Sequence, residues 1–251
     1  LLPACEEATD FPLTTENTNL VVVEGMLTNE NINHRIKLTK PYKTQNETPE
    51  AISGAVVTLK DESSTYILTE SPAGSGEYYT PQMRAVTGRI YTLAIVYNEK
   101  EYSAQDSSVP VEALEAIQYI KTGDQYQLVF SLAGHSPNFI EYTLDWNSTD
   151  ACIAACAGRL IYYDLRTIDV NELYKPDKEP FTFPAGTTII RKKYSISTAY
   201  RAFLRSMLSE TEWRGGVFDV QRDNVSTNLS EGAVGFFAVS TVAADTTVIT
   251  E

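Results

Sequence analysis

The chain has 251 residues, enough for one large or two ordinary domains, and its 43% hydrophobic and 21% charged residues are globular values. No apolar run approaches the ~18 residues a spanning helix needs. With 20 Lys and Arg against 33 Asp and Glu, the net charge of −13 repels phosphate backbones and anionic lipid, which sets aside nucleic acid as a partner and electrostatic membrane docking. The 15 Tyr and 9 Phe, with abundant Thr and Val, favour strands, so a mostly β protein is expected.

The first stretch, Leu1-Leu2-Pro3-Ala4-Cys5, places a Leu three residues before a Cys and a small residue just before it. That is the pattern at the end of a bacterial lipoprotein signal peptide, and it predicts lipidation of Cys5. Each buried methylene of such an anchor contributes ~0.8 kcal/mol, so two or more acyl chains hold a folded domain on a bilayer without a spanning helix. The following residues to Asn19 are polar and aperiodic, and residues 1–19 read as a processed anchor and flexible tether.

From Leu20 the pattern becomes that of strands. Leu20 to Leu27, Arg35 to Lys40, Ser53 to Asp61, Tyr66 to Thr69, Glu77 to Tyr79, Ile90 to Tyr97 and Glu101 to Ala104 are seven short β-rich runs, separated by turn residues such as Gly74-Ser75-Gly76. This spacing predicts an Ig/transthyretin-like β-sandwich over residues 20–109. Val109-Pro110 marks a boundary, and residues 110–251 are predicted to form a second β-rich domain. Its strands are read at Ile117 to Ile120 and Tyr126 to Phe130 about the Gly123-Asp124 turn, then at Asn138 to Trp146, Arg159 to Tyr163, Gly232 to Ser240 and Thr246 to Ile249.

One amphipathic helix stands out near residues 197–210. Tyr200, Phe203, Leu204, Met207 and Leu208 recur at helical spacing behind Ser197, a suitable N-cap. Core packing explains this stripe better than a partner-binding face. Residues Asp169 to Pro184, with Pro176, Pro180 and Pro184, read as a long exposed loop. Tyr174, Phe181 and Phe183 on it are the candidate ligand contacts, since aromatic faces supply stacking area for sugars, peptides or cyclic ligands at small entropic cost.

With Cys5 assigned to lipid, Cys152 and Cys156 remain as an even pair in an oxidising compartment, and a local disulfide is expected. Positions four apart on a regular helix are too distant for an unstrained bridge, so the bond requires a turn, and two free thiols on a short helix are the alternative. Cofactor and metal chemistry are not expected: His34 and His135 are the only histidines, and neither has ligand-like spacing to Cys or carboxylates. No nucleophile elbow, Walker loop or dinucleotide fingerprint is present, so the chain is not read as an enzyme. The geometry of a carboxylate pair suited to glycosides is not visible in sequence. Asp145-x-Asn147-x-x-Asp150 lacks the Gly and bidentate Glu of a calcium loop and reads as a capped turn.

Gly54-Ala55-Val56-Val57-Thr58-Leu59, Gly76-Glu77-Tyr78 and Gly88-Arg89-Ile90-Tyr91-Thr92-Leu93 resemble the transthyretin-like and carboxypeptidase-regulatory-like sandwich modules. In order with Cys5, Leu20-Val21-Val22-Val23-Glu24-Gly25, the Tyr-bearing helix and Thr227-Asn228-Leu229-Ser230-Glu231-Gly232-Ala233, they resemble a Bacteroidetes lipoprotein family known as domain of unknown function 4249. The acidic Glu6-Glu7 pair is similar to the signal that sends such lipoproteins to the outer face of the outer membrane, and Asp245-Thr246-Thr247 to an O-glycosylation acceptor there. The resemblance implies a surface-exposed protein acting beside a TonB-dependent receptor in nutrient capture. A fimbrial or adhesive subunit is the alternative. No site residues carry over from the family.

Overall fold

The computed structural model describes residues 19–42, 47–130, 134–153, 156–167, 169–177, 179–216 and 225–250. Among the described residues the protein is mostly β, in several sheets with two helices. The first eight strands are β1 (Val21–Thr28), β2 (Arg35–Thr39), β3 (Val56–Lys60), β4 (Thr65–Ile67), β5 (Thr69–Glu70), β6 (Glu77–Tyr79), β7 (Ile90–Tyr97) and β8 (Lys100–Ser107). Then come β9 (Gln118–Thr122), β10 (Gln125–Val129), β11 (Asn138–Asp145), β12 (Ala157–Asp164), α1 (Val170–Leu173), β13 (Thr182–Pro184) and β14 (Thr188–Ser195). The chain closes with α2 (Thr198–Glu210), β15 (Ala233–Ser240) and β16 (Val242–Val248).

The first sandwich faces a sheet of order β15-β1-β2-β6-β5 against one of order β4-β3-β7-β8. Period-two alternation builds its core: Tyr91, Leu93 and Ile95 of β7 point inward against Val23, Leu38 and Phe237, all buried. Tyr78, almost wholly buried, is satisfied at both ends of its hydroxyl, donating to the Ile52 carbonyl at 2.9 Å and accepting from the Ala55 amide at 2.9 Å.

The second sandwich sets the β13-β10-β9 sheet against the β12-β11-β14-β16 sheet, enclosing Tyr126, Leu128, Leu144, Phe183 and Ile189. A third apolar cluster lies on the other face of that larger sheet, where α2 brings Leu204 and Leu208 onto Phe139, Leu165 and Ile196. Ser197 caps α2, its hydroxyl accepting from the Tyr200 amide at 3.1 Å.

Two sequence expectations are corrected and one strand is added. Residues 110–251 do not form a separate unit, because β15 returns to the first sandwich and lies parallel to β1 in register from Val21↔Ala233 to Thr28↔Ser240. The local pattern of β15 identifies a strand but not its partner, which is more than 200 positions away. Thr241 alone then separates β15 from β16 in the other sandwich. The joint is knitted by the Ser195 amide donating to the Thr241 carbonyl at 3.0 Å and the Val242 amide to Asn29 Oδ1 at 2.7 Å. Second, β14 is a strand the sequence pattern does not announce, since Arg191 and Lys193 take inward positions that apolar residues normally hold. Finally, the expected loop from Asp169 to Pro184 contains α1 and β13, and β13 pairs with β10.

Candidate functional site

Two sheet faces, neither of them used by a sandwich core, line a cleft that has α2 as one wall. Its volume is about 720 Å³, within the ~300–1,000 Å³ of small-molecule sites. The floor is the outer face of β1, where alternation turns Val22, Glu24 and Met26 away from the first core. Tyr200, Phe203 and Met207 line it from α2, Phe236 from β15, Tyr194 from β14 and Tyr163 from β12.

The rings brace one another. Tyr194 stacks on Phe139 at 4.4 Å, and Phe236 meets Tyr200 at 5.0 Å and Phe203 at 5.1 Å. Such pairs contribute roughly 0.5–1.5 kcal/mol each beyond their buried area, so the wall is largely set before any ligand arrives. Gly235 brings β15 close to β1 at the floor: its φ is +97°, and a Cβ there would lie 2.1 Å from the Val23 carbonyl oxygen.

At the mouth the charges are matched within the protein. Arg35 donates to Glu24 at 3.1 Å and to Glu77 at 2.8 Å, and Lys192 pairs with Glu30 at 2.7 Å across the two sandwiches. Burial pushes the phenol of Tyr194 up to about 12 and that of Tyr200 further, so both are neutral donors at ordinary pH. His34, beneath the mouth, has its ring Nε2 3.1 Å from the Met83 carbonyl, and burial holds its pKa below the usual value.

The aromatics expected to contact ligand are not brought together here. Tyr174 follows α1 and is exposed. Phe181 packs edge-on to Trp146 at 6.2 Å over Gly158. Phe183 is a correction: at 0% exposure it is a core residue of the second sandwich, because β13 turns it inward beside Tyr126. The cleft rings escaped the sequence reading because five chain segments contribute to it. The one available signal was the α2 stripe, which is broader than core packing alone requires: Leu204 and Leu208 are buried, whereas Tyr200, Phe203 and Met207 are half-buried.

Cys152 and Cys156 are joined in a disulfide with a Cα–Cα distance of 5.4 Å. A turn leads into the bridge, the Cys152 amide donating to the Thr149 carbonyl, and the Trp146 amide donates to the Cys156 carbonyl. Asp145 caps its own turn through the Asn147 amide at 2.9 Å, and Asp245 pairs with Arg191. Cys5, Glu6 and Glu7 lie outside the described residues. Among the described residues no group of three or more His, Cys, Asp or Glu side chains could hold a metal ion. A second cavity, beside Arg191 and Lys193, measures about 60 Å³, room for a few waters rather than a ligand. No helix is long and apolar enough to cross a membrane among the described residues.

The family model described as "Domain of unknown function (DUF4249)" matches residues 6–246, nearly the full chain. Comparison with curated proteins gives no match.

Proposed function

The chain belongs to the DUF4249 family, and from that premise we propose that it is a non-catalytic ligand-capture protein whose binding site is the aromatic cleft. The cleft carries the reading: it has ligand-sized volume, braced rings and self-matched charges. A catalytic site needs a nucleophile with its base, or an acid–base pair, converging on one point. The charged groups at this mouth are instead engaged with one another.

The remainder of the proposal concerns place and partner. Leu2-Pro3-Ala4-Cys5 supports a lipid anchor at Cys5, and Glu6-Glu7 supports display on the outer face of the outer membrane. In this setting the protein serves as an accessory to a TonB-dependent transporter, presenting ligand to it. The test is gentle solubilisation of outer membranes, capture of a tagged chain, and mass spectrometry of what accompanies it. A stoichiometric TonB-dependent receptor, absent when Cys5→Ser leaves the protein off the membrane, is the expected result. A ladder of self-associated subunits, or wild-type protein recovered from the soluble fraction, overturns it.

A further inference from the structure

We infer that the cleft selects an uncharged amphiphile: an apolar body laid along the ring wall, with a head bearing oxygen acceptors. This inference rests on the reading of the cleft as the ligand site and adds the chemistry of what it takes. Three observations carry it, each concerning a different part of the cavity.

The first is a set of unanswered donors. The hydroxyls of Tyr163, Tyr194 and Tyr200 have no hydrogen-bond partner among the described residues, though all three side chains line the cleft. Tyr163 and Tyr194 each act electrostatically on Tyr200, as do Asp106 and Glu24, which places the phenols in one neighbourhood. Half-buried hydroxyls beside apolar surface gain from a ligand oxygen that accepts from them.

The second is charge. Arg35 is engaged by both Glu24 and Glu77, and Lys192 by Glu30. An anionic head would meet Glu24 and Glu30 before it could win either cation. A cationic head would meet Arg35 and Lys192. Either ion would have to displace an existing partner and lose water at an apolar wall. A neutral hydroxylated head can hydrogen-bond to the paired groups without separating them.

The third is the apolar surface. Met26 on the floor and Met207 on the α2 wall, two of the three methionines in the chain, line the cleft together with Phe203 and Phe236. Unbranched thioethers adapt to a flexible alkyl or ring body better than branched side chains do.

Isothermal titration with octyl glucoside, octyl sulfate and octyltrimethylammonium, each below its critical micelle concentration, separates the contributions. The three probes share a tail and differ in the charge of the head. Octyl glucoside is expected to bind at one site at least tenfold more tightly than either ion. The triple variant Tyr163→Phe, Tyr194→Phe, Tyr200→Phe breaks no hydrogen bond among the described residues, so it should keep its melting temperature and lose about tenfold or more in affinity for the glucoside. If the triple variant melts early, Tyr194→Phe alone is used, with a loss of at least threefold expected. Met26→Trp, which fills the floor, should abolish binding. Preferential binding of either ion that Met26→Trp abolishes overturns the inference and leaves the cleft as a ligand site. Glucoside binding that is unchanged in the phenylalanine variants also overturns it. No saturable binding of any probe, or binding indifferent to Met26→Trp, overturns both the inference and the reading beneath it.

Discussion

Substitution of Gly235 by Ala tests the return of β15 to the first sandwich. Gly235 pairs with Val23 in the parallel β1–β15 ladder. Its φ of +97° is strained for any L side chain, and the added Cβ would stand 2.1 Å from the Val23 carbonyl oxygen. The backbone conformation alone costs about 1–3 kcal/mol. Relieving the overlap means separating the strands locally and losing at least one ladder hydrogen bond, about 0.5–1.5 kcal/mol more. The sum is roughly 1.5–4.5 kcal/mol, a large share of the ~5–15 kcal/mol typical of a folded domain. Gly74 is the internal control, because its φ of +82° is similar and a Cβ there meets nothing within 4 Å. Gly74→Ala should cost only the conformational part. Urea unfolding of both variants, followed by far-UV circular dichroism at constant m, reads the difference. Equal losses for the two variants would refute the placement of β15 against β1.

Phe183→Ala should cost about 3–5 kcal/mol, because the ring is wholly enclosed. Tyr174→Ala should cost much less, since that side chain is exposed; thermal melts of the pair check the reassignment of these two aromatics. Burial lowers the pKa of His34 below its ordinary 6.5. The stability owed to its neutral form is therefore complete above about pH 6.5 and is lost as pH falls through the folded value, where the unfolded chain binds the proton first. Relative to His34→Gln, the wild type should lose stability as pH falls below about 6.5, and parallel curves would contradict this. Reducing the Cys152–Cys156 bond opens a loop with a sequence separation of only 4, so chain entropy limits the loss to about 2 kcal/mol. Dithiothreitol should lower the unfolding midpoint modestly and leave glucoside binding unchanged.

How far the sequence disclosed this structure depends on whether a feature is local. α2 was legible because Ser197 and the Tyr200-to-Leu208 spacing are contained within one segment, and the cap forms as expected. The strands of the first sandwich were legible for the same reason: β7 alternates buried and accessible side chains along its length. β14 was not, because Arg191 and Lys193 face inward. Arg191 is held there by Asp245 and the Glu115 carbonyl, partners that lie 54 and 76 positions away and create no local pattern. The cleft was hidden by the same kind of distance. Glu30 meets Lys192 across 162 positions, and Phe236 meets Tyr200 only because β15 crosses back under α2. The proline-rich loop drew attention on composition, yet pairing with β10 had already turned Phe183 inward.

The most direct measurement of the central claim is a crystal structure of the protein grown with octyl glucoside below its critical micelle concentration. One glucoside is expected in the cleft, its tail along Phe203 and Phe236 and its head oxygens within hydrogen-bond distance of the Tyr194 and Tyr200 hydroxyls. An empty cleft beside ordered glucoside elsewhere on the surface would contradict the claim.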